Sequence, residues 1–156
     1  MPSRLRRLSL VPLSVGLLAA CGGPAPPPYK PVADNKLLMR AVTEPAADII
    51  WASVGAIIDA SGVQDIRPNS QDQWVTVRNA AVTVMESGNL MMMVPRAKDG
   101  GEWMRLSTAL IDKSNEIVQA AEAKNVDKIF TLGGDLYDIC TNCHSKYKPE
   151  IAPATQ

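Results

Sequence analysis

One five-residue stretch, Cys140-Thr141-Asn142-Cys143-His144, constrains this chain more than any other. It holds two of the three cysteines and the single histidine. On a helix, these three side chains stand at i, i+3 and i+4 and share one face. A C-x-x-C-H run is an attachment site for c-type haem. Two thiols meet the two vinyl groups along one porphyrin edge, and the imidazole reaches the iron from the next position. Two other readings are weaker. C-x-x-C is also a redox dithiol, but that motif belongs in a βαβ setting, which this sequence does not offer. It is also half of a zinc site, whose second half is missing. A second axial imidazole cannot come from this chain, because His144 has no companion.

At 156 residues the chain is long enough for one domain with a buried core. Its 16 basic and 16 acidic residues cancel, and no basic patch points to nucleic acid. Arg4, Arg6 and Arg7 precede an apolar run from Leu8 to Leu18. Those are the two leading regions of an export signal, too short to span a membrane comfortably. The run ends in Leu18-Ala19-Ala20-Cys21, which resembles the bacterial lipobox. Residues 1–20 are therefore expected to be a lipoprotein signal peptide, with Cys21 the lipidated first residue after cleavage. A plain secretory signal would leave Cys21 as an exposed thiol. Lipidation accounts for all three cysteines. Loss of the three arginines leaves 13 basic residues against 16 acidic ones, a net charge of −3. The expected location is the periplasm, anchored to the membrane by lipid. Gly22 stands where an Asp would resemble an inner-membrane retention signal, which leans toward the outer membrane.

Residues 21–34 form a lipidated Cys and a Pro-rich tether, with Pro24, Pro26, Pro27, Pro28 and Pro31 excluding helix and central strand. At ~3.1 Å per residue such a tether reaches about 35–40 Å. Residues 35–148 carry four helical patterns, and Pro149 and Pro153 lie in a C-terminal tail, 149–156. The first pattern runs from about Asn35 to Ala60 (Leu38, Met39, Val42, Ile49, Ile50, Val54, Ile57, Ile58). Pro45 predicts a kink or break between a short piece with Met39 and a longer second piece. The second begins at a Ser70/Gln73 capping box, buries Trp74, Val77, Ala81, Val84 and Met85, and is expected to stop at Gly88. Leu90–Val94 then reads as an apolar connection. Asp99 and Glu102 offer another capping box for a third helix through Trp103, Leu106, Leu110, Ile117 and Ala121 to about Lys124. The fourth spans about Val126 to Tyr147, with Ile129, Leu132, Leu136, Ile139, Cys140 and Cys143 inward. Gly133-Gly134 in its middle is either a tolerated weak point or a place where a helix or the haem approaches closely. No run of strands is expected. The fold class is all-α, an antiparallel up-down-up-down four-helix bundle with covalently bound haem c.

In such a bundle the start of the first helix, the second connection and the end of the fourth helix share one end. That end would gather Met39, Met85, Met91–Met93, Trp103 and Met104 around His144. No methionine follows His144, so a thioether ligand comes from upstream. Met39 is the first choice for the distal position, with another Met or an open sixth position as alternatives. His/Met ligation raises the potential and suits electron transfer. Met39 as plain core filling is the bland alternative. The Met91–Met93 run hints at Cu(I), but three consecutive side chains do not converge on a point; apolar lining of the haem pocket or a dimer contact explains it better.

The pattern Cys140-Thr-Asn-Cys143-His144-Ser-Lys-Tyr147-Lys148 resembles the C-x-x-C-H-x-x-Y-[RK] motif of the class II c-type cytochromes, the cytochrome c-prime family. Lys148 stands where Arg is commoner. The resemblance covers about residues 35–148. It implies a four-helix bundle with haem near the end of the last helix. In the low-spin branch, it implies a Met early in the first helix, where Lys36-Leu-Leu-Met39-Arg40 stands. Pro45 departs from the family's usual first helix. The implied function is a membrane-tethered periplasmic monohaem electron carrier, with His144 proximal and Met39 distal, serving redox partner proteins of the periplasm or membrane. A homodimer through the first two helices is also implied. The alternative is a five-coordinate protein of the high-spin branch, binding NO or CO at an open iron. An enzyme is not expected. No second His or distal Arg is placed to assist O–O cleavage, and Arg40 reads more plainly as a partner of a haem propionate. Asp135 and Asp138 read as a solvated face.

Overall fold

Pro45 shapes the first helical stretch. A proline inside a helix removes one donor and crowds the carbonyl four residues back, here that of Ala41. In the computed structural model, which describes residues 28–148 and 150, the chain absorbs this with a wider turn rather than a sharp break. Helix α1 (Asn35–Leu38) passes into a π-helical segment (Met39–Thr43) and then into α2 (Glu44–Ala52). The Glu44 N–H donates to the Met39 carbonyl, the i→i+5 bond of a π turn. Asp34 caps the start, its Oδ1 accepting from Leu37 N at 2.7 Å.

Two expectations are corrected beyond this point. The first helix ends at Ala52, not near Ala60, and a two-stranded antiparallel sheet follows: β1 (Gly55–Asp59) and β2 (Gly62–Ile66), with Ile57 opposite Gln64 and Ile58 opposite Val63. Gly55 and Gly62 have φ of +151° and +124°, backbone that favours glycine. The Asp59 carboxylate accepts from both Ser61 N and Ser61 Oγ across the turn. Ile57 and Ile58 are exposed, not core.

Helix α3 (Gln71–Met92) starts where the capping residues place it. Ser70 Oγ accepts from Gln73 N at 3.2 Å, while Gln73 Oε1 accepts from Asn69 N at 2.6 Å, one residue earlier than a standard box. The second correction concerns its end. Gly88 does not stop the helix but serves as a contact point within it. A Cβ there would lie 2.6 Å from Ile111 Cγ1 and 3.0 Å from the Ser107 carbonyl. The bare backbone lets α3 lie close on α4 (Glu102–Glu122), with Ser87, Ser107 and Ser114 buried as well. Leu90, Met91 and Met92 are therefore helical, and Met93 is the cap.

Helix α5 (Val126–Tyr147) has the expected extent, capped by Asn125 Oδ1 on Lys128 N. Helix α4 packs along both α3 and α5, and α2 packs on α3 and α5. The core draws Leu38, Ile50, Trp74, Val84, Leu110, Ile117, Ile129 and Leu136 from all of them. The described fold is thus mostly helical and compatible with a helical bundle, with the small sheet as an addition. None of its helices is long and apolar enough to cross a membrane. The expected signal peptide, Cys21, most of the expected tether and nearly all of the expected 149–156 tail lie outside the described residues.

Candidate functional site

Cys140, Cys143 and His144 occupy the last two turns of α5, all three half-buried. Both cysteines are free thiols. Burial pushes the Cys140 thiol up to about 11, with Cys143 adding to it. Burial, then the Glu102 carboxylate, also raises Cys143. These are neutral thiols near neutral pH, against an acidic side chain. A redox dithiol needs the reverse, a lowered pKa in electropositive surroundings. Among the described residues no group of three or more His, Cys, Asp or Glu side chains is placed to hold a metal ion.

The end of α5 is fastened by contacts absent from the sequence reading. Tyr147 Oη donates to Asp99 Oδ2 in the α3–α4 connection. The Tyr147 ring meets Trp103 edge-on, with centroids 4.9 Å apart and planes at 82°. Asp99 Oδ1 also accepts from Trp103 N at 3.0 Å and Gly101 N at 2.9 Å, so it covers free donors at the start of α4. Glu102 does not close the expected capping box; its carboxylate turns to Arg105 at 2.6 Å. Trp103 Nε1 donates to the Met91 carbonyl at 2.9 Å, fixing the end of α3 to the same corner.

The start of α1 is tied to that connection too. Arg96 Nε donates to the Ala33 carbonyl at 2.8 Å, and Asn35 Nδ2 donates to the Arg96 carbonyl at 2.8 Å. One connection therefore bonds to the beginning of the first helix and to the end of the last. Met39 opens the π segment and lies half-buried against the core that Cys140 and Tyr147 also join. One turn to either side of it, Asn35 Oδ1 and Thr43 Oγ1 are buried polar atoms with no partner, a rarity that calls for an unseen partner. Of the other methionines, Met91 is buried, and Met85, Met92, Met93 and Met104 are half-buried. Arg40 is exposed, and Lys113 pairs with Asp135 at 3.1 Å, which leaves Asp135 and the exposed Asp138 as a solvated face.

Gly133 is the place of close approach, and the neighbour is a helix. Trp51 Nε1 donates to the Gly133 carbonyl at 2.8 Å, and a Cβ would meet Trp51 Cδ1 at 3.4 Å. A groove of about 480 Å³ opens here, lined by Trp51, Val54, Phe130, Gly133 and Tyr137 among others. Gly133, Tyr137, Cys140 and His144 follow at steps of four, three and four, one stripe of the helix. Trp51 and Arg96 carried no signal in the sequence, since neither stands in a motif.

No family model matches the chain, and no curated protein and no solved structure matches it.

Proposed function

We propose that this protein is a lipid-anchored periplasmic monohaem c-type cytochrome, resembling the low-spin class II cytochromes, that carries single electrons. The observation that carries the proposal is the one-face placement of Cys140, Cys143 and His144 on the last turns of α5, with both thiols free and neutral. The donor set fits the group. Each thiol would add across one vinyl, sulfur to the inner carbon and hydrogen to the outer. His144 would bind iron on one side, and Met39 on the other.

Two further observations support the distal assignment. The beginning of α1 and the end of α5 both bond to one connection, as expected of an up-down-up-down bundle with both at one end. Met39 also begins a π turn, a device frequent at functional sites, between two buried polar atoms that lack partners. When bound, haem supplies one-electron Fe(III)/Fe(II) cycling. The part of the chain is to hold the same two ligands in both states, so that little moves on electron transfer. An apolar surround would keep water from the ring and favour a raised potential, and Ile139 and Met104, half-buried next to Cys140 and Trp103 in the chain, would contribute to it.

The test is the optical spectrum of the exported holoprotein, oxidised and reduced, with Met39→Ala beside it. A low-spin spectrum in the parent that becomes high-spin in Met39→Ala is expected. A high-spin parent, unchanged by the substitution, would replace the electron carrier with the five-coordinate NO- or CO-binding alternative. Low-spin character lost only on changing Met91, Met92, Met93 or Met104 would move the ligand there.

A further inference from the structure

Arg96 is the one charged side chain among the described residues that is buried, at 7% exposure. Its guanidinium has five N–H groups and cannot shed its charge in a protein. Nε donates to the Ala33 carbonyl at 2.8 Å and Nη1 to the Leu90 carbonyl at 3.1 Å. Nη2 is not one of the fully enclosed atoms and is open to an incoming group, but it has no acceptor among the described residues. Nor is a carboxylate within ion-pair reach. The ion pairs of the described residues use Arg105, Lys113 and Lys148 instead. A buried charge without a counter-charge is strongly unfavourable. Such a guanidinium, with Nη2 free and no carboxylate beside it, is open to an anion from outside the chain.

Its position says which anion. Arg96 lies between the start of α1 and the end of α3, in the connection whose Asp99 takes the Tyr147 hydroxyl. Its own carbonyl is held by Asn35, whose Oδ1 is one of the buried atoms without a partner. It thus stands in the corner that holds the last turn of α5. Arg40, the partner expected from the sequence, is exposed to solvent.

We propose that Arg96 is the internal anchor for a carboxylate of the group held by Cys140, Cys143 and His144, that is, for a haem propionate. The inference rests on the haem reading above. Arginine suits the task, since its planar fork matches a carboxylate with two parallel hydrogen bonds. Arg96 is a positioning residue. The thioethers hold one edge of the ring, His144 holds the iron, and Arg96 fixes a third point, which settles how the ring is turned. It also supplies the counter-charge that lets a carboxylate leave water.

The test uses the full-length exported protein with wild type, Arg96→Gln and Arg96→Lys side by side. Intact mass comes first. A wild type lacking the mass of one haem sinks the haem reading and this assignment with it. With haem attached, resonance Raman spectra report the propionate bending band. The expected result is a wild-type band shifted from that of a solvent-exposed propionate, relaxing to the exposed position in Arg96→Gln and partly restored in Arg96→Lys. A merely structural Arg96 would leave the band where it is, so an Arg96→Gln spectrum identical to wild type, with haem attached, overturns the proposal. Should Arg96→Gln not accumulate, Arg96→Lys decides: a band identical to wild type overturns the proposal, and one moved toward that of a protease-released haem peptide supports it.

Discussion

Tyr147 and Asp99 show what one hydrogen bond does at the end of a long helix. The Tyr147 bond is the largest of several causes that hold the Asp99 carboxyl below its usual value; the Trp103 and Gly101 amides and Lys146 add to it. Burial first, then the same bond and the Asp99 charge, pushes Tyr147 up to about 12. The two act on opposite sides of neutrality. A depressed carboxyl stabilises the fold above its unfolded pKa, and that gain is lost as pH falls through the folded value. A raised phenol stabilises the fold below its unfolded pKa near 10, and that gain is lost as pH rises toward about 12. Urea midpoints measured across pH should therefore fall at both extremes. Tyr147→Phe should weaken both falls, since Cys140 and Cys143 keep their own share of the alkaline one. An unchanged alkaline limb in Tyr147→Phe would show that Tyr147 is not the group responsible.

Glycines separate two roles at the scale of the helix. Gly88 lies under Ile111 and Ser107, and a methyl group there has no room. Gly88→Ala should cost about 1–3 kcal/mol through overpacking. Gly134 has nothing within 4 Å of where its Cβ would be. Gly134→Ala should therefore gain about 0.5–1 kcal/mol through helix propensity. Urea denaturation of both variants checks the pair, and opposite signs are expected. From sequence the two glycines invited the opposite ranking. Gly88 follows a long periodic run and reads as a stop, whereas Gly133-Gly134 interrupts a helix and reads as its weak point. Which glycine faces a neighbour depends on how α3 is turned against α4, and no local pattern encodes that.

Across the whole molecule, stability is unevenly spread. Helices α3, α4 and α5 share the buried core, whereas in β1 and β2 only Gly55 and Ile66 are even partly covered. A two-stranded ribbon is marginal by itself. Native-state hydrogen exchange should open the amides of residues 55–66 well before those of α3–α5. Equal protection in both would mean that the ribbon is covered by something more than its own turn. The ribbon was illegible for a specific reason. Ile49, Ile50, Val54, Ile57 and Ile58 fall at steps that suit a helix, and short apolar runs are ambiguous by period. The deciding facts are the φ angles at Gly55 and Gly62, which exist only once the backbone is folded.

By itself the sequence determined the helical class, the extent of α5, the starts of α3 and α5, and the single face shared by Cys140, Cys143 and His144. These follow from spacing and capping, which act within a few residues. Only the tertiary structure decided that Pro45 is accommodated by a π turn, that Gly88 is a helix contact, and that Trp51 reaches Gly133. It also decided that Arg96, unremarked among its neighbours in the chain, is the buried cation at the corner where Asn35 and Asp99 meet the ends of the first and last helices. Those features depend on groups as many as 82 positions apart along the chain. No local periodicity carries such information, because it arises when packed faces choose their partners.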